Sequence, residues 1–398
     1  MLTPAKASEP STQGLKTLGI VGAGQLARML IEAASPLDLQ IVVLAQADGE
    51  PATLGASRTI VGLASDPKAM AALAEACDVI TFDHELVDLE ILSRLEAEGT
   101  AIRPAPSALR YACNKADMRV KLSEADIACP RFLVLEPGQD FSLAEDFASM
   151  VGLALVVKAA TGGYDGRGVF MPESLDELRQ IIDELHQESI TVLLEERVVI
   201  RRELAALVVR GIDGSLVTWP TVETVQIDGM CQQVEAPGDL PEAIHEQASR
   251  IAAELAHSLG LVGVMAVELF ETEDGLLVNE LAMRPHNTGH WTIEGAVTSQ
   301  FENHLRAVLG LSLGSSEMTA AAVAMVNLLG PEDGSEPRDR LHEALAVKGA
   351  HLHLYGKAAR PGRKLGHVTT LGSERHEVLE RAWQASTALG TQRKRAQP

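Results

Sequence analysis

The chain has 398 residues, 46% of them hydrophobic and 22% charged, which excludes a largely disordered or fibrous protein and supplies apolar material for two or three domains. Its 34 Lys and Arg against 55 Asp and Glu give a net charge of −21, which excludes a surface built for duplex nucleic acid or anionic lipid but not one local basic pocket. The four cysteines, Cys77, Cys113, Cys129 and Cys231, show neither Cys-x-x-Cys nor zinc-like spacing and read as reduced, packed thiols.

Residues 1–16 are polar and without an apolar core, and read as a disordered N-terminal extension. No apolar run approaches the roughly 18 residues of a membrane span, so a cytoplasmic protein without a membrane partner is expected. Residues 17–112 alternate strand and helix: strand 18–21, a tight turn at 22–24, helix 25–34, strand 40–44, helix 67–75, strand 79–82 and helix 89–98. This order predicts a parallel, Rossmann-like α/β domain. Residues 113–310 read as α+β, with a helix from Asn114, an extended segment 131–135, a helix ending near Met150 and a strand 154–157 that runs into a glycine cluster. Helix 175–187 and strands 191–195, 203–210 and 216–220 follow, and after a Gly/Ser/Pro-rich boundary residues 311–398 read as a small strand-rich domain.

Five segments could carry chemistry. Gly22-Ala23-Gly24-Gln25-Leu26-Ala27 joins a strand to a helix, where small residues let backbone amides approach an anion. A phosphate or substrate site is preferred there to a dinucleotide site, because the second strand ends Leu44-Ala45-Gln46 without the acidic residue that would hold a ribose. Lys158 precedes a loop with glycines at 162, 163, 166 and 168, more than a hairpin requires; such a loop can close over polyphosphate while the lysine supplies a point charge. No Gly-Lys-Ser/Thr follows, so it is not a Walker loop.

The third segment is an acidic hairpin. A three-residue loop 273–275 with Gly275 left-handed would pair Thr272 with Leu276 and set Glu268 opposite Glu280. Facing like charges are unfavourable unless a cation lies between them, and hard oxygen ligands beside phosphates favour magnesium. Without it, one carboxyl should protonate or turn to solvent. Fourth, Arg284-Pro285-His286-Asn287 opens an extended polar stretch suited to substrate contact by Arg284, His286 and Asn287; its Pro and Gly argue against a helix that would align His286 and His290 on zinc. His351 and His353 read as an ordinary polar strand face. Fifth, Lys357, Arg360, Arg363 and Lys364 cluster around a Pro-Gly turn and read as a phosphate clamp.

Taken in order, residues 22–29 (GAGQLARM), 161–168 (TGGYDGRG), 285–292 (PHNTGHWT) and 360–367 (RPGRKLGH) resemble the ATP-grasp superfamily, and within it the N5-carboxyaminoimidazole ribonucleotide synthase family, over nearly the whole chain. The resemblance implies an ATP-grasp fold preceded by a Rossmann-like domain and followed by a small strand-rich one. It implies a ligase that uses ATP to phosphorylate bicarbonate to carboxyphosphate and carboxylates 5-aminoimidazole ribonucleotide in purine synthesis. Lys115, Lys158, Gly163, Gly166 and Gly168 would contact ATP phosphates, the segment with Glu195, Glu196 and Val198 would be the adenine hinge, and Glu203 would hold the ribose. Gln226, Asn279 and Glu280 complete the implied nucleotide site, with Glu268 and Glu280 as magnesium carboxylates. Tyr164, Asp165, Arg167 and His286 would serve catalysis; Gly24, Gln25, Leu26, Glu85, Arg284, Asn287, Lys357, Arg363 and Lys364 would bind the ribonucleotide. His286 and Asp165 are the alternative acceptors of the substrate proton, and a homodimer is implied. The rival readings are another ATP-grasp carboxylate-amine ligase, such as a formate-using glycinamide ribonucleotide transformylase, and a nicotinamide-dependent oxidoreductase built on the Gly-x-Gly turn.

Overall fold

A computed structural model describes residues 16–162, 168–227 and 229–393; residues 1–15 and Gly163, Tyr164, Asp165, Gly166 and Arg167 of the glycine loop lie outside it. The chain begins with a five-stranded parallel sheet in the order Arg58–Val61, Gln40–Ala45, Thr17–Val21, Val79–Phe82, Ala101–Ile102. Its central strands are largely apolar because helices cover both faces, with Thr81 a buried polar exception. The edge strand Arg58–Val61 is partly exposed and only its last two residues are apolar, too short a run for its sequence to announce it. Asp66, Asp88 and Asn114 cap helices Pro67–Ala76, Leu89–Ala97 and Lys115–Glu124 through side-chain oxygens on backbone amides, each contributing about 1 kcal/mol.

A four-stranded antiparallel sheet follows, in the order Phe132–Leu135, Val192–Glu196, Leu155–Ala159, Val169–Phe170. Phe147, Leu178 and Ile182 of helices Ser142–Val151 and Leu175–Gln187 pack on Leu155, Val157 and Leu194 to cover it. The largest sheet has nine strands, and its main path runs Gly275–Ala282, Gly263–Thr272, Arg202–Arg210, Val222–Ile227, Met230–Ala236, Ala322–Leu329, Lys364–Gly372, Ala350–Leu354. Ala322–Leu329 pairs directly with Met230–Ala236, so the sheet runs unbroken through the boundary expected near residue 310. The clamp segment at 357–364 is thereby attached to the same sheet as the acidic hairpin.

That hairpin corrects the expected register. Thr272 pairs with Gly275, not Leu276, because only Glu273 and Asp274 form the turn. A bulge then inserts Asn279, and beyond it Glu268 faces Glu280 after all. The bulge also resets the alternation of the strand. Leu276 and Val278 lie in the apolar layer under helix Glu242–Ser258, and after the extra residue it is Leu281, not Glu280, that joins them.

Candidate active site

The ATP half of the site is built of ion pairs between separate elements. Glu195, at 2% exposure, is next to last in strand Val192–Glu196 and accepts from Arg119 Nε at 2.5 Å and from Lys158 Nζ at 2.7 Å. Arg119 is fully buried and donates its Nη2 to the carbonyl of Asn279 at 2.8 Å, while Lys158 also reaches Asn279 Oδ1 at 3.2 Å. Burial pulls the Lys158 ammonium below the usual lysine range; Glu195, which burial alone would raise, is held below the carboxylate range by its two cations. Lys115, first residue of its helix, bonds Glu280 at 2.8 Å. Because the bulge aims Asn279 and its neighbour Glu280 at the same cleft, both lysines meet consecutive side chains of one strand.

Glu268 is raised to about 8, first by burial and then by the facing Glu280, with Lys364 and Lys115 pulling the other way. Glu203 is also raised by burial, and Gln226, at a register shift of its own hairpin, hydrogen-bonds it. Glu196 is engaged by Arg131 at 2.6 Å, and Val198 lies half-buried just beyond the strand end. Gly168 closes the glycine loop, its carbonyl accepting from Ala159 N at 2.9 Å.

The acceptor half begins at the Gly22 to Gly24 turn, and the structure changes the expectation there. The carboxylate of Asp83, from the end of the neighbouring strand, already accepts the Gly24 amide at 2.6 Å. Gly22 adopts φ 105°, and a Cβ on it would lie 1.8 Å from Asp83 Oδ1. The anion this turn holds is therefore a side chain of the chain itself, and burial raises its pKa. Leu26 is buried; Gln25 Oε1 accepts from Lys357 Nζ at 2.6 Å, which brings the clamp onto this turn.

Glu85 receives Arg284 Nε at 2.7 Å, and its other oxygen, Oε1, is buried without a partner among the described residues. His286 Nε2 lies 3.8 Å from Glu268 Oε1, while its Nδ1 accepts from Thr288 N and lies 2.9 Å from Thr288 Oγ1. Burial first, then Arg284 and Lys364, lower His286 to about 3, so the ring is neutral. Asn287 makes a reciprocal amide pair with buried Asn327, at 2.9 and 2.7 Å. Of the clamp, Arg360 is exposed; Arg363 and Lys364 are half-buried, with Arg363 Nη1 on the Ala358 carbonyl and Lys364 placed to act electrostatically on both Glu268 and His286.

The two strand histidines correct another expectation. His351 is exposed, but His353 bonds Glu294 at 2.6 Å and stacks on buried His367, so the strand does not present an ordinary polar face. Arg119, Asn327 and Gln300 are site residues that sequence reasoning passed over; only Arg119 left a signal, four positions after Lys115 on the same helix face.

Comparison with known proteins agrees with this geometry. The ATP-grasp domain family matches residues 120–301, the ribonucleotide synthetase preATP-grasp domain residues 15–113, and the phosphoribosylaminoimidazole carboxylase C-terminal domain residues 323–381. The N5-carboxyaminoimidazole ribonucleotide synthase of Mycobacterium tuberculosis is 46% identical over 370 residues, 92% of this chain and 86% of the relative. That of Synechococcus elongatus is 40% identical over 94% and 93% of the two chains. Among solved structures, the Thermus thermophilus synthetase superposes with a TM-score of 0.84 at 35% identity, covering 95% of this chain and all of that one. The Aspergillus clavatus synthase, solved with ADP and 5-aminoimidazole ribonucleotide, gives 0.84 at 32% identity, over 94% and 98%. By these similarities the chain, an ATP-grasp ligase, belongs to the N5-carboxyaminoimidazole ribonucleotide synthase family.

Proposed function

We propose that the protein carboxylates 5-aminoimidazole ribonucleotide at the expense of ATP, using bicarbonate by way of carboxyphosphate, in purine biosynthesis. The observation that carries this reading is the 3.8 Å approach of His286 to Glu268: the carboxylate pair and the acceptor loop share one centre. Phosphorylation of bicarbonate and capture of its carbon by an amine require that adjacency, because carboxyphosphate must not meet bulk water between the two steps.

The nucleotide phosphates would draw Lys115 and Lys158 from Glu280 and Glu195, and Glu203 with Gln226 would face the ribose. Glu268 and Glu280 fit a magnesium ion: two carboxylates face each other where burial and the facing Glu280 already oppose the charge of Glu268. Among the described residues no group of three or more metal-binding side chains gathers, so phosphate oxygens would complete the shell, as magnesium usually requires. The ion, when bound, supplies charge neutralisation at the transferring phosphoryl group.

Arg284, Asn287, Lys357, Arg363 and Lys364, with the free oxygen of Glu85, would hold the ribonucleotide, and the turn at Gly24, Gln25 and Leu26 would border it. With Nδ1 of His286 accepting, its proton sits on Nε2 and faces Glu268. In that tautomer His286 is a hydrogen-bond donor suited to orienting a bicarbonate or carboxyphosphate oxygen; Asp165, the other candidate acceptor of the substrate proton, lies outside the described residues. Tyr164 and Arg167, also expected to serve catalysis, likewise lie outside the described residues. No helix among the described residues is long and apolar enough to cross a membrane. A cytoplasmic homodimer belongs to the same proposal, and light scattering tests the dimer.

The deciding assay is phosphate release from magnesium-ATP and bicarbonate with and without the ribonucleotide. Strong stimulation, with bicarbonate carbon appearing on the ribonucleotide, is expected. ATP binding without stimulation would redirect the search to other acceptor amines.

A further inference from the structure

One buried side chain grips the backbone of His286 from both directions. Gln300 opens helix Gln300–Leu309, whose end is capped by Ser299, and is fully buried. Its Oε1 accepts the His286 N–H at 2.9 Å and its Nε2 donates to the His286 carbonyl at 2.7 Å, the two bonds a facing β-strand residue would make. The amide therefore has only one workable orientation, since exchanging its ends would set donor against donor and oxygen against oxygen. Nε2 also lies 3.2 Å from His290 Nδ1, and because Nε2 can only donate, His290 is a neutral ring protonated on Nε2. Burial holds His290 well below the ordinary histidine range, in keeping with that state. Gly289 permits the approach: a Cβ there would lie 2.3 Å from Gln300 Oε1. The Gln300 amide N–H is itself given to Thr292 Oγ1 at 2.9 Å, which ties the far end of the loop to the same residue.

We propose that Gln300 is a positioning residue for the acceptor step, setting where the His286 imidazole and Asn287 stand without touching the ribonucleotide. The inference rests on the reading that His286 and Asn287 face that substrate. Gln300→Met removes the bonds while keeping the bulk. Gln300→Glu keeps the shape but turns an oxygen toward the His286 carbonyl and His290 Nδ1.

The test compares both variants with His286→Ala. In each folded Gln300 variant, ribonucleotide-stimulated phosphate release should fall about tenfold or more, as a displaced reacting group entails. The KM for magnesium-ATP should stay within about twofold, because the nucleotide half is held by other bonds. If His286→Ala impairs stimulation while both Gln300 variants leave it intact, the positioning role is wrong. An equal loss of ATP and ribonucleotide parameters with a lowered melting temperature would show Gln300 to be only structural, and would overturn it too. If His286→Ala itself leaves stimulation unchanged, the underlying reading of the loop fails and this inference fails with it.

Discussion

The two halves of the cleft are held by different physics. On the ATP side, Arg119, Lys158, Glu195, Lys115 and Glu280 form charged pairs bridging the helix that starts at Lys115, the four-stranded sheet and the acidic hairpin. On the acceptor side the ties are mostly neutral: Gln300 on the backbone of His286, Asn327 on Asn287, His304 between Thr81 Oγ1 at 2.7 Å and Val264 N at 3.1 Å. Charged pairs can change partners when a polyphosphate and a cation arrive; neutral, fully used amides and imidazoles cannot without loss. The comparison assigns adaptability to the nucleotide and a preformed shape to the acceptor.

The largest effect expected on that contrast is at Glu280. Glu280→Gln should reduce ATP turnover by about a thousandfold at any magnesium concentration, near the upper end for loss of a single electrostatic stabiliser. Near-normal turnover would remove the carboxylate pair from the mechanism. Arg119→Met comes next: it leaves Glu195 buried with one cation and the Asn279 carbonyl unpaired, and should cost about 3–5 kcal/mol in denaturant unfolding, with weaker ATP binding. A variant of unchanged stability would show that these charges do not hold the half together.

Acid should act on the other half. Burial lowers His304 to about 3 and likewise depresses His286, His290 and His367, so on acidification the unfolded chain takes up these protons first. Their stabilisation is complete above the unfolded pKa of about 6.5 and is lost as pH falls toward the folded value, at up to about 1.4 kcal/mol per pH unit for each group. The stability difference between the wild type and His304→Gln should therefore shrink by about 2 kcal/mol between about pH 7.5 and pH 5. A constant difference would contradict the neutral state of this histidine. The smallest expected effect is a rise of about tenfold, or 1.4 kcal/mol, in the ribonucleotide KM of Lys357→Ala with the ATP KM unchanged. Equal changes in both would blur the division between the halves.

Local patterns made the three central strands of the first sheet readable, because they are apolar runs, while its edge strands Arg58–Val61 and Ala101–Ile102 left no such run. Glu268 and Glu280 were also placed opposite each other from sequence, but through a turn one residue too long and without the bulge. Those two departures cancel. Arg119, Asn327 and Gln300 were hidden for another reason: Glu195 is 76 positions from Arg119, and Asn287 is 40 from Asn327, separations at which no periodicity marks a pair. Even Gln300, 14 positions from His286, owes its role to a helix start that a loop brings back. The Gly22 to Gly24 turn announced an anion, yet its occupant, Asp83, comes from a strand end not considered for that role.

The extra residue in the acidic hairpin gives the cleft one more side chain than an unbroken ladder would. Had Asn279 been an ordinary ladder residue, alternation would have carried Glu280 to the side of Leu276 and Val278; because it is the extra residue, deleting it would leave Glu280 opposite Glu268 and Leu281 in the apolar layer, and would remove the side chain that Lys158 reaches. A deletion at a paired position such as Leu277 would instead turn Val278 out of the apolar layer. The hairpin thus distinguishes loss of its extra residue from loss of a paired one, which no inventory of its acidic residues would reveal.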